Sequence, residues 1–398
     1  MRISFDKIPP EEVATHLDVQ GALEGHIKQT MGPDFLSREA EEMRRAGIYK
    51  VTAATRRGVI VRFIPVREIE GIVAPTTSTS YRREESPSES LEGEAPKAPA
   101  IEKGESSIKS AQALSAVMLE KGIDSRLDQQ NGESDFEVVS EEDFILSLPW
   151  ELLNEAYVRD NEISFKRIVP INAANPPKRS RNFVACISYG CVDSEGDIGG
   201  IADGITAELK AIDQSLNHTL NEFLQRRHDF ERPNLFQVTR FITRASFQGV
   251  QWGAFQIAHI IAHGKNGFLA FESDRSHWKI EWAGYEVIIK ILERNGLRQS
   301  PYDLFFIAAC HSASANSKAE SSLAFRIVKS SLSRYSIGFN GGMGGDKALP
   351  GFSEVFYKNY LVSWNMEAAF LRASRHLIQE NSRYWHLPYL YKGELKVS

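Results

Sequence analysis

The sequence predicts an α/β fold: a mainly parallel sheet flanked by helices, with a small N-terminal α/β unit in front of it. Three observations carry this. From residue 182 onward strand-like and helix-like segments alternate, the order that βαβ units produce. Several of those strands are unbroken apolar runs, as strands covered on both faces must be. The opening 74 residues carry their own helix-and-hairpin pattern, cut off from the rest by a stretch that loses nearly all its large apolar residues.

In chain order, residues 1–74 are the small α/β unit. Asp34 suits an N-cap opening a charged amphipathic helix, and Gly47 suits its stop. Ile48 to Thr55 and Val59 to Ile64 are β-rich and flank Arg56-Arg57-Gly58, a hairpin signal. Residues 75–107 fill with Ser, Thr, Glu, Pro and Lys and cannot bury enough surface to offset their ordering entropy, so they read as a disordered linker. Tyr81-Arg82-Arg83-Glu84 within it would be an accessible cleavage site, although a tether is the simpler role. Residues 108–134 connect, with a helix predicted from Ser107 to Lys121. The main domain, 135–398, has strand candidates at Asn182 to Ser188, Phe236 to Thr243, Phe255 to Ala262, Asp303 to Ala309 and Tyr335 to Phe339. Its helix candidates are Ile201 to Leu224, Ala283 to Asn295, Ala319 to Ser331, Ser353 to Trp364 and Met366 to Asn381.

Composition narrows the function classes. With 398 residues, 42% of them hydrophobic, the chain can build one large core and a smaller one. A formal net charge of -5 gives no reason to expect nucleic acid or an anionic membrane as partner. No run approaches the roughly 20 apolar residues of a membrane span, and MRISFDKIPPEE has no apolar core of a secretory signal. Only Cys186, Cys191 and Cys310 occur, which fits a reducing cytoplasm better than a disulfide scaffold.

The chemistry concentrates in QIAHIIAHGKNG and YDLFFIAACHSASAN. In each, an apolar strand ends in a reactive side chain: His263 followed by Gly264, and Cys310 followed by His311 and Ser312. A right-handed crossover makes the two strands parallel, so both carboxyl ends open at the same sheet edge, where doubly wound folds place their sites. A thiol near pKa 8.5 needs a neighbouring imidazole to supply thiolate at neutral pH. The backbone N–H groups of Gly264 and Cys310 are candidate oxyanion donors. Cys186 lies inside an apolar strand and reads as core. His259 shares a strand face with His263 but sits mid-strand, which suits a packed, supporting histidine. His311 reads as structural, pointing away if the strand continues. His-x-x-x-His would suit zinc on a helix, but this stretch is Ile-rich and ends in Gly, and no Glu follows the first His, so no metal is expected.

These residues resemble the CHAT family of caspase-like cysteine peptidases, relatives of caspases, separases and gingipains. Ser147-Leu148-Pro149-Trp150-Glu151-Leu152-Leu153 is similar to its Pro-Trp-Glu-Leu-Leu motif, and Ile163 to Arg167 to the segment that follows. His259 to Gly264 resembles its His-x-x-x-His-Gly strand, Ala308-Ala309-Cys310 its Ser-Ala-Cys strand, and Phe352 to Ala373 its closing helices. The likeness covers about residues 135–395. It departs after Cys310, where His311-Ser312-Ala313 replaces Glu-Thr-Gly, and after the next strand, where Asn340 to Asp346 replaces a Trp.

The resemblance implies a caspase-like fold and a thiol protease with His263 and Cys310 as catalytic dyad. Asn340, Gly341, Gly342 and Asp346 would border the substrate pocket. It needs no cofactor. It also implies a protein substrate and a regulated role in bacterial antiviral defence or programmed cell death, with the N-terminal unit recruiting an activating partner or mediating self-assembly. The alternative is a catalytically silent caspase-like scaffold, which has no need of the retained His263, Gly264 and Cys310.

Overall fold

The computed structural model describes residues 2–12, 47–55, 58–77, 110–118, 135–153, 158–159, 163–172, 185–189, 206–215, 236–240, 244–249, 257–265, 267–273, 276–294, 302–315, 321–342, 348–380, 382 and 384–396. The chain divides into two compact units, Met1–Gly132 with Leu148–Leu153, and Glu133–Ser147 with Asn154–Ser398.

In the first unit β1 (Arg2–Ile8), β2 (Ile48–Thr55) and β3 (Gly58–Pro65) form an antiparallel meander in the order β3-β2-β1. The β2–β3 ladder runs out to Thr55 paired with Gly58, as the predicted hairpin requires. Helix α1 (Val66–Thr77) follows, ending inside the stretch read as linker, and α2 spans 110–118. The two helices meet where the Ser110 hydroxyl donates to the Ile72 carbonyl, 3.4 Å. Ile3, Phe5, Tyr49, Val51, Ile69 and Leu114 are buried. Trp150, in a single 3₁₀ turn (Trp150–Leu152), packs its ring at 5.6 Å from Phe5. The Pro-Trp-Glu-Leu-Leu segment is thus an apolar plug of this unit. The helix expected after Asp34, the remainder of the linker and the Arg82-Arg83 site lie outside the described residues.

The second unit holds β4 (Asp135–Ser140), β5 (Ser164–Ile171), β6 (Ala185–Tyr189), β7 (Phe236–Arg240), β8 (Ile257–Ile261), β9 (Gly264–Lys265), β10 (Phe268–Ser273), β11 (Ser276–Gly284), β12 (Tyr302–Ala308), β13 (Ser333–Phe339) and β14 (Pro388–Leu395). Its main sheet runs β4-β5-β14-β13-β12-β8-β6-β7, parallel throughout except between β13 and β14. Strands β9 to β11 form a separate antiparallel sheet. The helices are α3 (Asp143–Leu146), α4 (206–215), α5 (Arg244–Gln248), α6 (Tyr285–Arg294), α7 (Leu323–Lys329), α8 (Ala348–Ser363) and α9 (Met366–Gln379).

Register shows that both faces are covered, as the apolar strands require. Phe306, Ile337, Leu390 and Lys166 are cross-strand neighbours on one face. There Phe306 meets Phe356 of α8 at 5.7 Å, and Lys166 bonds Glu367 of α9 at 2.8 Å. Phe305, Ser336, Tyr391 and Arg167 line the other face, where Tyr391 meets Phe325 of α7. In chain sequence, β6, β7, β8, β12 and β13 take the spatial order 2-1-3-4-5, so the order reverses between β6 and β8.

Candidate active site

His263 and Cys310 leave adjacent parallel strands at the same level. Strand β8 pairs with β12 in the register Ile261 to Ala308, and each reactive residue comes two positions later. The Ala262 N–H donates to the Ala308 carbonyl at 3.2 Å, holding the two strand ends together beyond the ladder. Both side chains are half-buried, and Cys310 is in no disulfide. Gly264 presses on the Cys310 backbone: a methyl built there overlaps the Cys310 carbonyl oxygen and stands 3.1 Å from the Ala309 Cβ. Only glycine fits this approach.

Strand β12 stops at Ala308, and Ala309 to Ala313 form a turn rather than the strand continuation assumed for His311. His311 adopts φ +59 and donates its N–H to the Gly341 carbonyl, 2.9 Å. Its Nε2 lies 3.9 Å from where a Gly342 Cβ would stand, so the ring faces the glycine-rich segment. The turn is sewn to its surroundings at several points. Ala313 N–H donates to the Phe339 carbonyl at 3.1 Å, and the buried Ser312 hydroxyl donates to the Ile307 carbonyl while accepting from Phe339 N–H. Tyr285, the first residue of α6, donates its hydroxyl to the His311 carbonyl at 3.2 Å. Burial raises the Tyr285 phenol, and the charge of Cys310 beside it raises it further, so it stays a neutral donor.

A buried polar network lies under the far end of this turn. Ser147 and Tyr391 each place a hydroxyl within reach of two acceptors, the Ala313 carbonyl (3.2 and 3.3 Å) and Asp143 Oδ1 (3.3 and 3.5 Å). Each hydroxyl has one proton, so the two acceptors share two donors. Asp143 also accepts from the Ser322 N–H and, at 3.2 Å, from the Ser322 hydroxyl, pinning the N-cap of α7. Burial pushes the Asp143 carboxyl up to about 6, against the lowering effect of these donors. Asn340 joins the network to the turn: its Nδ2 donates to the Ser147 carbonyl (2.9 Å) and the Tyr389 hydroxyl (2.7 Å), and its Oδ1 accepts from the Ser314 hydroxyl (2.7 Å). Arg167 lies 3.1 Å over the Tyr389 ring and donates to the Leu146 carbonyl, fixing the end of α3.

His259 is fully buried and stacks on Phe306 at 4.1 Å. Its Nδ1 meets the Tyr357 hydroxyl at 2.8 Å, and its Nε2 stands 3.1 Å from Glu208, which accepts from the Ser353 hydroxyl at 2.6 Å. These contacts join β8 to α4 and α8. Glu208 is enclosed in this cluster with no exposure.

Of the residues singled out in sequence, the structure gathers His263, Gly264, Cys310, Asn340, Gly341 and Gly342 at one sheet edge. Asp346 and Cys191 lie outside the described residues. Asp143, Tyr285 and Ser314 are not singled out by the sequence, because the partners that give them a role, Ser322, His311 and Asn340, are remote from them in the chain.

No family model and no curated protein matches the chain. Among solved structures it is similar to RgpB of Porphyromonas gingivalis in the complex of its pro- and mature domains, at 10% identity and TM-score 0.40, over 71% of this chain and 68% of that one. It is similar also to the Arg-specific cysteine proteinase gingipain R, at 8% identity and TM-score 0.38, over 71% and 66%. A third likeness is to the Saccharomyces cerevisiae separase–securin complex, at 13% identity and TM-score 0.35, where 71% of this chain spans 17% of the other.

Proposed function

We propose that this chain is a caspase-like cysteine endopeptidase whose nucleophile is Cys310 and whose base is His263. The observation that supports this above others is the register of β8 and β12, which brings the two residues out of neighbouring strands level with one another. His263 takes the thiol proton, and the Cys310 thiolate attacks the scissile carbonyl. As the C–N bond breaks, the imidazolium returns the proton to the leaving amine. Water then hydrolyses the thioester, with His263 again accepting a proton, and the free thiol is restored. The backbone N–H groups of Gly264 and Cys310 hold the oxyanion in this scheme, worth roughly 3 kcal/mol per donor.

The substrate is a protein partner, and regulation runs through the N-terminal unit by an activating partner or self-assembly. The resemblance to the CHAT family extends this to a protease of bacterial antiviral defence or programmed cell death, acting in the cytoplasm. Among the described residues no helix is long and apolar enough to cross a membrane.

A thiol-directed peptide probe tests the dyad. Wild type should be labelled at Cys310, while Cys310→Ala and His263→Ala remain silent. Equal labelling of all three would overturn the proposal.

A further inference from the structure

We infer that Asn340 is a positioning residue for Cys310 rather than a wall of the substrate pocket, an assignment that rests on the peptidase reading above. Asn340 is the first residue after β13, facing the turn that follows β12, a place from which a side chain can serve either role. Its hydrogen bonds decide between them. Both amide protons are spent inside the protein, one on the Ser147 carbonyl and one on the Tyr389 hydroxyl, and the amide oxygen accepts from Ser314. To donate to a substrate, this amide would have to give up bonds of 2.7 and 2.9 Å.

What those bonds hold is the turn bearing the nucleophile. Ser314 lies four positions beyond Cys310, and its N–H closes the turn onto the His311 carbonyl at 3.1 Å. Its hydroxyl also sits 3.4 Å from His311 Nδ1. Asn340 therefore clamps the outgoing end of the turn to Ser147, while the Ser147 hydroxyl reaches the Ala313 carbonyl one residue earlier. Ser147 is in turn the C-cap of α3, anchored by its N–H to the Asp143 carbonyl. The Asn340 N–H donates to the Leu387 carbonyl at 2.9 Å, and the Tyr389 ring is braced by Arg167, so the clamp itself is fixed from β14 and β5. Its hydrogen-bond partners come from three segments, and each bond is short. Removing the amide frees the outgoing end of the turn, and the thiol then loses its fixed height against His263.

The experiment compares wild type, Asn340→Ala, Ser314→Ala and the double variant by three measurements. These are cleavage of a fluorogenic peptide set varied at P1, alkylation of Cys310 by iodoacetamide, and amide hydrogen exchange of the 309–315 segment. Asn340→Ala should lower kcat and the alkylation rate about 10- to 100-fold, the scale of a 1 Å misplacement. KM should move less than about threefold, the P1 profile should be unchanged, and exchange in the turn should rise. Ser314→Ala should give a smaller fall, and the double variant should be close to Asn340→Ala, since the Asn340–Ser314 bond is lost in each. A changed P1 profile with unchanged exchange would make Asn340 a pocket residue and overturn the inference, as would no change in any measurement. If wild type neither cleaves nor shows His263-dependent alkylation, the peptidase reading fails by itself. Exchange then still decides whether Asn340 holds the turn.

Discussion

Gly264→Ala is the smallest change that should separate His263 from Cys310. The added methyl carbon would sit on the Cys310 carbonyl oxygen, more than about 1 Å inside an ordinary carbon–oxygen contact of about 3.3 Å. The atoms it meets are backbone C and O of Cys310 and the Ala309 Cβ, not the end of a flexible side chain, so no rotamer change relieves it. The β8–β9 junction and the Cys310 turn must therefore part by roughly 1 Å. Overpacking of this kind costs about 1–3 kcal/mol of stability, and a displacement of that size at the reacting atoms costs about 100-fold in rate. Gly267→Ala supplies the control. Gly267 has φ +79, so alanine there is strained by about 1–2 kcal/mol, yet its Cβ would meet nothing within 4 Å. Peptide cleavage or iodoacetamide labelling, read beside chemical denaturation, should show both variants destabilised but only Gly264→Ala slowed. Equal rates for the two would refute the argument that close backbone contact sets the dyad.

Two buried ionisable groups make opposite pH predictions. Asp143 is raised from 3.8 to about 6 by burial, so the folded state prefers its protonated form. Its contribution to stability is full below about pH 4 and is lost as pH rises through 6, a total of roughly 3 kcal/mol. Denaturation of wild type and Asp143→Asn from pH 4 to 8 should show wild type losing that much relative to the variant, and a constant difference would count against it. His386 is lowered from 6.5 to about 4 by burial, and its Nδ1 is enclosed without a hydrogen-bond partner. It stabilises the fold above pH 6.5 and loses that contribution as pH falls through 4, by no more than about 3 kcal/mol. His386→Leu should flatten the acid limb between those values, and an unchanged limb would show that the imidazole does not govern it.

Strand chemistry was the most legible part of the sequence. Phe305 to Ala309 and Ile257 to Ala262 announce themselves as apolar runs, and β8 and β12 fall within one or two residues of the predicted spans. The level exit of His263 and Cys310 follows from a parallel pairing that the intervening helix α6 already implies. Strands with mixed patterns were not found. In β14, Pro388 to Leu395 carries Lys392 and Glu394 among its tyrosines, because its outer end is held by ion pairs such as Lys392 with Glu367 rather than by apolar cover. Strand β5 hides Lys166 and Arg167 in the same way, one paired with Glu137 and Glu367, the other laid on Tyr389. Hydropathy reads such residues as surface, although Arg167 has no exposure at all.

The inferred role of Asn340 depends on contacts that local pattern does not carry. An Asn before two glycines at a strand end is a loop signal, and a loop beside a nucleophile suggests substrate contact. Its amide, however, is claimed by Ser147, 193 residues away, and by Tyr389, 49 residues away. No window on the chain contains those partners. A strand end can be recognised from its own residues, since burial is set by the residue type and its near neighbours. The height of a thiol above that strand end is set by hydrogen bonds closed across the whole unit, and these exist only once β5, β13 and β14 have paired. On the proposed reading the nucleophile is written locally and its placement is not, so substitutions at Asn340 and Ser147 should alter turnover although neither reacts.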